Sequence, residues 1–223
     1  EMQAIKGDVT FENVTFAYEE GKDVLKNVSF EVKAGESVAL VGPTGAGKST
    51  IVNLISRFYN VGQGRVLIDG QDIANVQLHT LRSQMGIMLQ DSFIFSGTIE
   101  DNIRYGKLDA TTEEIIKASQ TVCADDFIAR FQDGYQTEVK ERGSLLSQGQ
   151  KQLLSITRVM LSDPKILILD EATSSIDTRT EIKVQKAFGT LMQGKTSFIV
   201  AHRLSTVLGS HKILYMEKGR ILE

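Results

Sequence analysis

The sequence is poor in the residues that staple or break a chain. Cys123 is its single cysteine, so no intrachain disulfide can form. The residue reads as a small core side chain of a protein kept in a reducing compartment. Only two prolines occur among the 223 residues, which leaves no proline-rich linker. No apolar run approaches the roughly 18 residues that a membrane helix needs, and no signal peptide opens the chain. Positive charge is not in excess: the formal net charge is −3, so there is no basic field for nucleic acid or anionic lipid. What is present is an ordinary globular balance, 41% hydrophobic and 24% charged, with enough apolar mass for one large domain or two small ones. The ends, Glu1-Met2 and Ile221-Leu222-Glu223, lack polar tails. The expectation is a piece of a longer polypeptide, cytosolic in character, that attaches to a membranous part outside this sequence.

Alternation marks the first strands. Val9, Phe11, Val14 and Phe16 lie in one such run, and Val28, Phe30 and Val32 alternate strictly, as antiparallel strands do. Ser37 to Val41 is a short apolar run before glycine, the pattern of a buried strand. A helix is predicted from about Gly47 to Phe58, with strands at Arg65–Ile68 and Gly86–Leu89. From about Asp91 to Asp163 the pattern turns helical. One helix opens at Thr112-Glu113-Glu114, with acids in its first turn, and runs through Ala118. Others cover Ala124–Phe131 and Gly149–Leu161, the last stopped by Asp163-Pro164. Then follow a strand at Lys165–Leu169, a helix at Thr178–Leu191, and strands at Ser197–Ala201 and His211–Met216. The predicted class is α/β: a mostly parallel sheet core, an N-terminal antiparallel β subdomain and an inserted helical subdomain. The core is expected over about 1–90 and 164–223, and the helical insertion over about 91–163.

Gly42-Pro43-Thr44-Gly45-Ala46-Gly47-Lys48-Ser49-Thr50 fits G-x-x-x-x-G-K-[ST], the phosphate-binding P-loop. Each position has a task. The glycines let successive backbone N–H groups point inward at phosphate oxygens, and the following helix aims its positive end at the same anion. Lys48 adds a point charge for the β- and γ-phosphates, and the Ser49 hydroxyl is placed to ligate Mg²⁺. The loop follows an apolar strand and opens a helix, as that mechanism requires. Ile166-Leu167-Ile168-Leu169-Asp170-Glu171 is a buried strand ending in two carboxylates. Asp170 is the candidate for holding Mg²⁺, directly or through water, and Glu171 for polarising the attacking water as general base. Without the loop, the same stretch would read as a strand that ends in an acidic turn.

With both motifs in place the chain resembles the nucleotide-binding domain of ATP-binding cassette (ABC) transporters, exporters in particular, from about Asp8 to Glu223. The family's core is a RecA-like P-loop sheet. Leu146-Ser147-Gln148-Gly149-Gln150 matches its signature motif, with Gln148 where glycine is usual. The resemblance implies that Ser147, Gly149 and Gln150 face the ATP held by a second domain. It implies that Tyr18 stacks on adenine, although alone Tyr18 is equally a half-buried strand residue. Gln90 resembles the Q-loop residue that reaches Mg²⁺ and water. Glu141 resembles the exporter residue that touches the membrane domain, with Lys140 where glycine is usual. Ser174-Ser175-Ile176-Asp177 resembles the D-loop. His202 resembles the switch histidine on the γ-phosphate, while His79 and His211 read as ordinary histidines.

The expected function is therefore that of an ATPase that binds MgATP. It would dimerise head to tail with a second such domain, of the same or a different chain, and power export through transmembrane domains absent here. The expected location is the cytoplasmic face of a membrane. Catalysis would rest on Glu171, His202, Lys48 and Gln90. Tyr18, Gly42 through Thr50, Gln90, Ser147, Gly149 and Gln150 would bind ATP, and Ser49, Gln90 and Asp170 the metal. A soluble ABC factor is disfavoured by the exporter-like run Phe95 to Ile103 and the lack of a basic patch. A non-catalytic module is disfavoured by Glu171 and His202. A GTPase is disfavoured by the absence of Asn-Lys-x-Asp. At Gln148 two outcomes stay open: a helical backbone that accepts glutamine, or a positive φ that strains it.

Overall fold

The computed structural model describes residues 4–88, 93–140, 143–170, 176–201 and 207–223. In chain order the elements are β1 Val9–Ala17, β2 Asp23–Val32, β3 Ser37–Val41, α1 Lys48–Ile55, β4 Gln63–Ile68, β5 Gln71–Asp72, α2 Leu78–Arg82, β6 Met85–Met88, β7 Gly97–Thr98, α3 Ile99–Arg104, α4 Thr112–Thr121, α5 Asp125–Ile128, β8 Glu138–Val139, α6 Gln148–Ser162, β9 Ile166–Asp170, α7 Thr178–Met192, β10 Thr196–Val200, β11 Lys212–Glu217 and β12 Arg220–Ile221. They group into two compact units. The first comprises Glu1–Ile87, Pro164–Glu171 and Gly194–Glu223; the second comprises Met88–Asp163 and Ala172–Gln193.

The first unit carries two sheets. The larger has the order β12-β11-β3-β10-β9-β6, with β3 parallel to both β10 and β11 and β9 parallel to β10. Its central strands are continuous apolar runs because both faces are covered: β9 reads ILILD and β10 is buried along its whole length. The smaller sheet, β2-β1-β4-β5, is antiparallel. Val9, Phe11, Val14 and Phe16 of β1 point into the core. The three-residue step from Phe11 to Val14 breaks a period of two. It is explained by Asn13, which adopts a left-handed φ of 48° where the β1–β2 register shifts, so that a bulge returns Val14 to the buried face.

The predicted α/β class, with its parallel core, antiparallel sheet and helices, is the observed one. Several boundaries moved. The helix after the P-loop stops at Ile55, short of Phe58, because Arg57 turns to a φ of 51°. The span Ala124–Phe131 holds only the short α5. α3 was missed although it is well capped, with Thr98 accepting from Asp101 N–H while the Asp101 carboxylate accepts from Thr98 N–H. Within the stretch that reads as helical, Gly97 and Thr98 pair with Val139 and Glu138 as a two-stranded ribbon. Cys123 is no core residue: it is half-buried and sits at a φ of 59° just after α4.

The second unit is organised by α6. Its Ser147 cap accepts from the Gln150 N–H at 3.3 Å, and the Gln150 carboxamide oxygen accepts from Ser147 N–H at 2.9 Å, a reciprocal capping box. Gln148 is the first helical residue and is not among the positive-φ positions, so the helical alternative holds and glutamine there is unstrained. Gly149 is buried where α6 meets α7. A Cβ at 149 would fall 2.2 Å from Thr180 Cγ2 and 3.1 Å from Ile176 Cγ2. At the far end Asp163 closes α6 at a φ of 43°, and Pro164 prevents its continuation.

Two outcomes follow from this helix start. Gly149→Ala will lower stability by about 1–3 kcal/mol through overpacking, and adding Thr180→Ala will recover most of the loss; denaturant midpoints of the three proteins check this. Gln148→Gly will lower, not raise, the thermal midpoint, because glycine relieves no strain there and loosens the first helical turn.

Candidate functional site

The P-loop leaves the carboxyl end of β3, the strand at the middle of the parallel sheet. Gly42, Gly45 and Gly47 have φ values of 147°, 80° and 104°, a conformation that side chains resist. Gly42 is further constrained by contact. A Cβ there would lie 2.1 Å from the Met216 carbonyl oxygen of β11. The β11–β12 turn also holds the loop, since Gly219 N–H donates to the Ala46 carbonyl at 3.2 Å and Lys26 N–H donates to the Gly219 carbonyl at 2.8 Å. Pro43 and Thr44 are exposed, while Ala46 is buried beneath the curl.

Gly47 precedes α1 with no side chain capping it, so the first N–H groups of the helix are left for a ligand. Lys48 begins the helix. Its ammonium donates to the carbonyls of Gly42 at 2.7 Å and Pro43 at 2.9 Å, drawing the loop around itself. Partial burial pulls its pKa below the usual lysine value, and the nearby Asp170 carboxylate works in the opposite direction. Asp170 ends β9 and is therefore within electrostatic reach of the loop. Ser49 is exposed at the second helical position, whereas Thr50 is buried.

Thr50 faces Tyr18. The tyrosine lies just past β1, is 45% exposed, and donates its hydroxyl hydrogen to Thr50 Oγ1 at 3.2 Å. Asn53, one helical turn further on, donates to the same hydroxyl at 3.0 Å. Phe16 and Tyr59 stand nearly perpendicular to the Tyr18 ring, each with its centroid 4.9 Å away.

The first unit thus brings together Tyr18, the loop from Gly42 to Thr50 and Asp170. Ser147, Gly149 and Gln150 belong to the second unit, at the start of α6. There the Gln150 side chain is spent on the capping box, and Gly149 serves close helix packing. Asp177 caps α7 by accepting from Thr180 N–H at 3.0 Å, and hydrogen bonding to Thr180 holds its carboxyl below the usual range. Gln90, Glu141, Glu171, His202 and the Ser174-Ser175 part of the D-loop lie outside the described residues. Sequence reasoning missed Asn53, Met216 and Gly219. Asn53 had a faint signal, since it lies three residues after Thr50 on one helix face. The Met216 and Gly219 contacts bring the β11–β12 turn to the P-loop across most of the sequence, and no local pattern announces them.

A profile of the ABC transporter family matches residues 25–174, more than half of the chain. Among curated proteins the chain is 53% identical over 221 residues to the uncharacterized ABC transporter ATP-binding protein YknV of Bacillus subtilis, covering 99% of this chain and 37% of that protein. It is 49% identical over its full length to a fatty acid ABC transporter ATP-binding/permease protein of Mycobacterium bovis, of which it covers 35%. Among solved structures a bacterial Atm1-family ABC exporter with ATP bound is 46% identical with a TM-score of 0.91, covering all of this chain and 39% of that one. The chain therefore spans well under half the length of the relatives it matches. A loop shaped for phosphates at the end of the central strand, in a fold and sequence shared this widely, has one reading: the chain belongs to the ABC transporter family, as an ATP-binding and ATP-hydrolysing domain.

Proposed function

We propose that this chain powers export across a membrane by binding and hydrolysing MgATP together with a second ABC domain, of the same or a different chain. The observation that carries the reading is the glycine curl from Gly42 to Gly47. It is clamped from behind by Met216 and Gly219 and closed by a partly desolvated Lys48 in the field of Asp170. In this reading the sheet-bearing parts at about 1–90 and 164–223 form the ATPase core, and 91–163 the helical subdomain. The backbone N–H groups of residues 42–50 and the Lys48 ammonium bind the phosphates, and Tyr18 stacks on adenine. Thr50 acts through its hydrogen bond with Tyr18 as well as through its N–H. Glu171 draws a proton from water, Gln90 and His202 orient the reacting groups, and Ser147, Gly149 and Gln150 receive the partner's γ-phosphate at the positive end of α6.

The donors present suit Mg²⁺. Ser49 offers an exposed hydroxyl and Asp170 a carboxylate, with Gln90 as a third ligand. This sparse share is what the ion takes from a protein when nucleotide phosphates and water supply the rest. Bound there it would neutralise charge on the β- and γ-phosphates.

Transmembrane domains would dock through the regions of Gln90 and Glu141, on the cytoplasmic face. One finding supports such a partner: the mycobacterial relative is an ATP-binding/permease protein.

Lys48→Ala will abolish tight ATP binding or turnover in a protein whose circular dichroism is unchanged, and undiminished hydrolysis by that folded variant would overturn the site. Glu171→Gln will keep ATP binding while slowing hydrolysis by roughly 10²–10⁴. Because its ATP persists, this variant will dimerise at millimolar ATP, as read by size exclusion with light scattering. A monomer that hydrolyses normally removes Glu171 from the role.

A further inference from the structure

A stacking platform works only if its ring is held. An aromatic face that swings about its side-chain torsions must be ordered each time a base arrives, and that cost is subtracted from affinity. Tyr18 is nearly half exposed and lies outside any regular element, yet both its hydroxyl and its ring are held. Its hydroxyl has one hydrogen to give and gives it to Thr50 Oγ1; its oxygen accepts from Asn53 Nδ2. Donor and acceptor are both used, and both partners sit on α1, the helix that starts with Lys48. The ring is also flanked by Phe16 and Tyr59, with interplanar angles of 88° and 86°. The residue before Tyr59 is tied to the same asparagine, since Phe58 N–H donates to the Asn53 backbone carbonyl at 2.9 Å. Asn53 therefore acts twice, through its carboxamide on the Tyr18 hydroxyl and through its backbone on the segment that presents Tyr59.

We propose that Asn53 is a positioning residue for the nucleobase, locking the Tyr18 ring to the phosphate-loop helix so that base and triphosphate are bound in one fixed geometry. The inference rests on the reading of Tyr18 as the adenine platform and extends it. Asn53 touches neither base nor phosphate; it acts through the tyrosine.

The experiment measures equilibrium binding of ATP and of inorganic tripolyphosphate, which has no base, to the chain at fixed MgCl₂. Asn53→Ala will weaken ATP about three- to tenfold, the range expected for one hydrogen bond with its ordering effect, and will leave tripolyphosphate unchanged. Asn53→Leu, which keeps the branched shape but has no donor, will behave as Asn53→Ala does. In a Tyr18→Phe background, where the hydroxyl is gone and the ring stays, Asn53→Ala will have no further effect. Three results would overturn the positioning role: unchanged ATP affinity, an equal loss for ATP and tripolyphosphate, or the same penalty in the Tyr18→Phe background. Tyr18→Ala separates the two levels. If it weakens ATP selectively while Asn53→Ala does not, the positioning role alone falls. If it leaves ATP and tripolyphosphate affinities unaltered, the platform reading falls and the positioning role falls with it.

Discussion

The structure depends on a strand with no exposed edge. β3 is bordered on both sides by parallel partners and covered on both faces, so its backbone can be placed only one way. Whatever follows its last residue inherits that precision. The glycine loop emerges there, at the carboxyl end of a parallel sheet, the place where open α/β folds bind ligands. Its curl has little regular hydrogen bonding of its own, and its shape is imposed from outside. β3 fixes where it begins, α1 fixes where it ends, and the carbonyl of Met216 with the N–H of Gly219 fixes its back. A side chain at Gly42 would collide with main chain, which cannot move aside as a flexible side chain can.

The same economy recurs in the second unit. The start of α6 needs its early N–H groups oriented, and the chain achieves this with its own motif residues: Ser147 and Gln150 cap each other. Gly149 lets α7 approach, and Asp177 caps α7 next to that approach. Residues proposed to face a partner's nucleotide are thus also the ones that hold two helices in place. Local stability and binding geometry cannot be varied independently at these positions.

Much of this was legible in the residues. Continuous apolar runs gave away β3, β9 and β10, because strands covered on both faces have no polar alternation to confuse the reading. The P-loop was legible because its chemistry demands glycines and a lysine at fixed spacing. The asymmetry of α6 was also visible, with Ser147 ahead of the helix and Asp163-Pro164 behind it. What escaped had physical reasons. Asn13 looks like any strand residue until its left-handed turn absorbs the odd step in β1. α3 is short and lies in a stretch where its capping threonine also pairs as strand. Cys123 was taken for core because cysteines usually are buried, but the residue after α4 must leave the helix, and its backbone turn decides its exposure. Asn53 and Gly219 matter through partners distant in sequence, which no periodicity reports. Gln148 was undecided from sequence alone because the question was one of φ, and a single substituted glycine does not reveal which conformation its position requires.

The place of β3 also governs the order in which the protein can assemble. Ser37, at the start of that strand, is bonded to His211, 174 residues later, and its parallel neighbours β10 and β11 are among the last strands of the chain. The strand that launches the nucleotide loop is made well before either of its neighbours, and its edges stay uncovered until both have followed. Non-local parallel pairing of this kind is slow to form and leaves unpaired edges in the interval. Small losses in β10 and β11 should therefore show first as poor folding yield and aggregation during synthesis, and only later as weakened nucleotide binding in the molecules that survive.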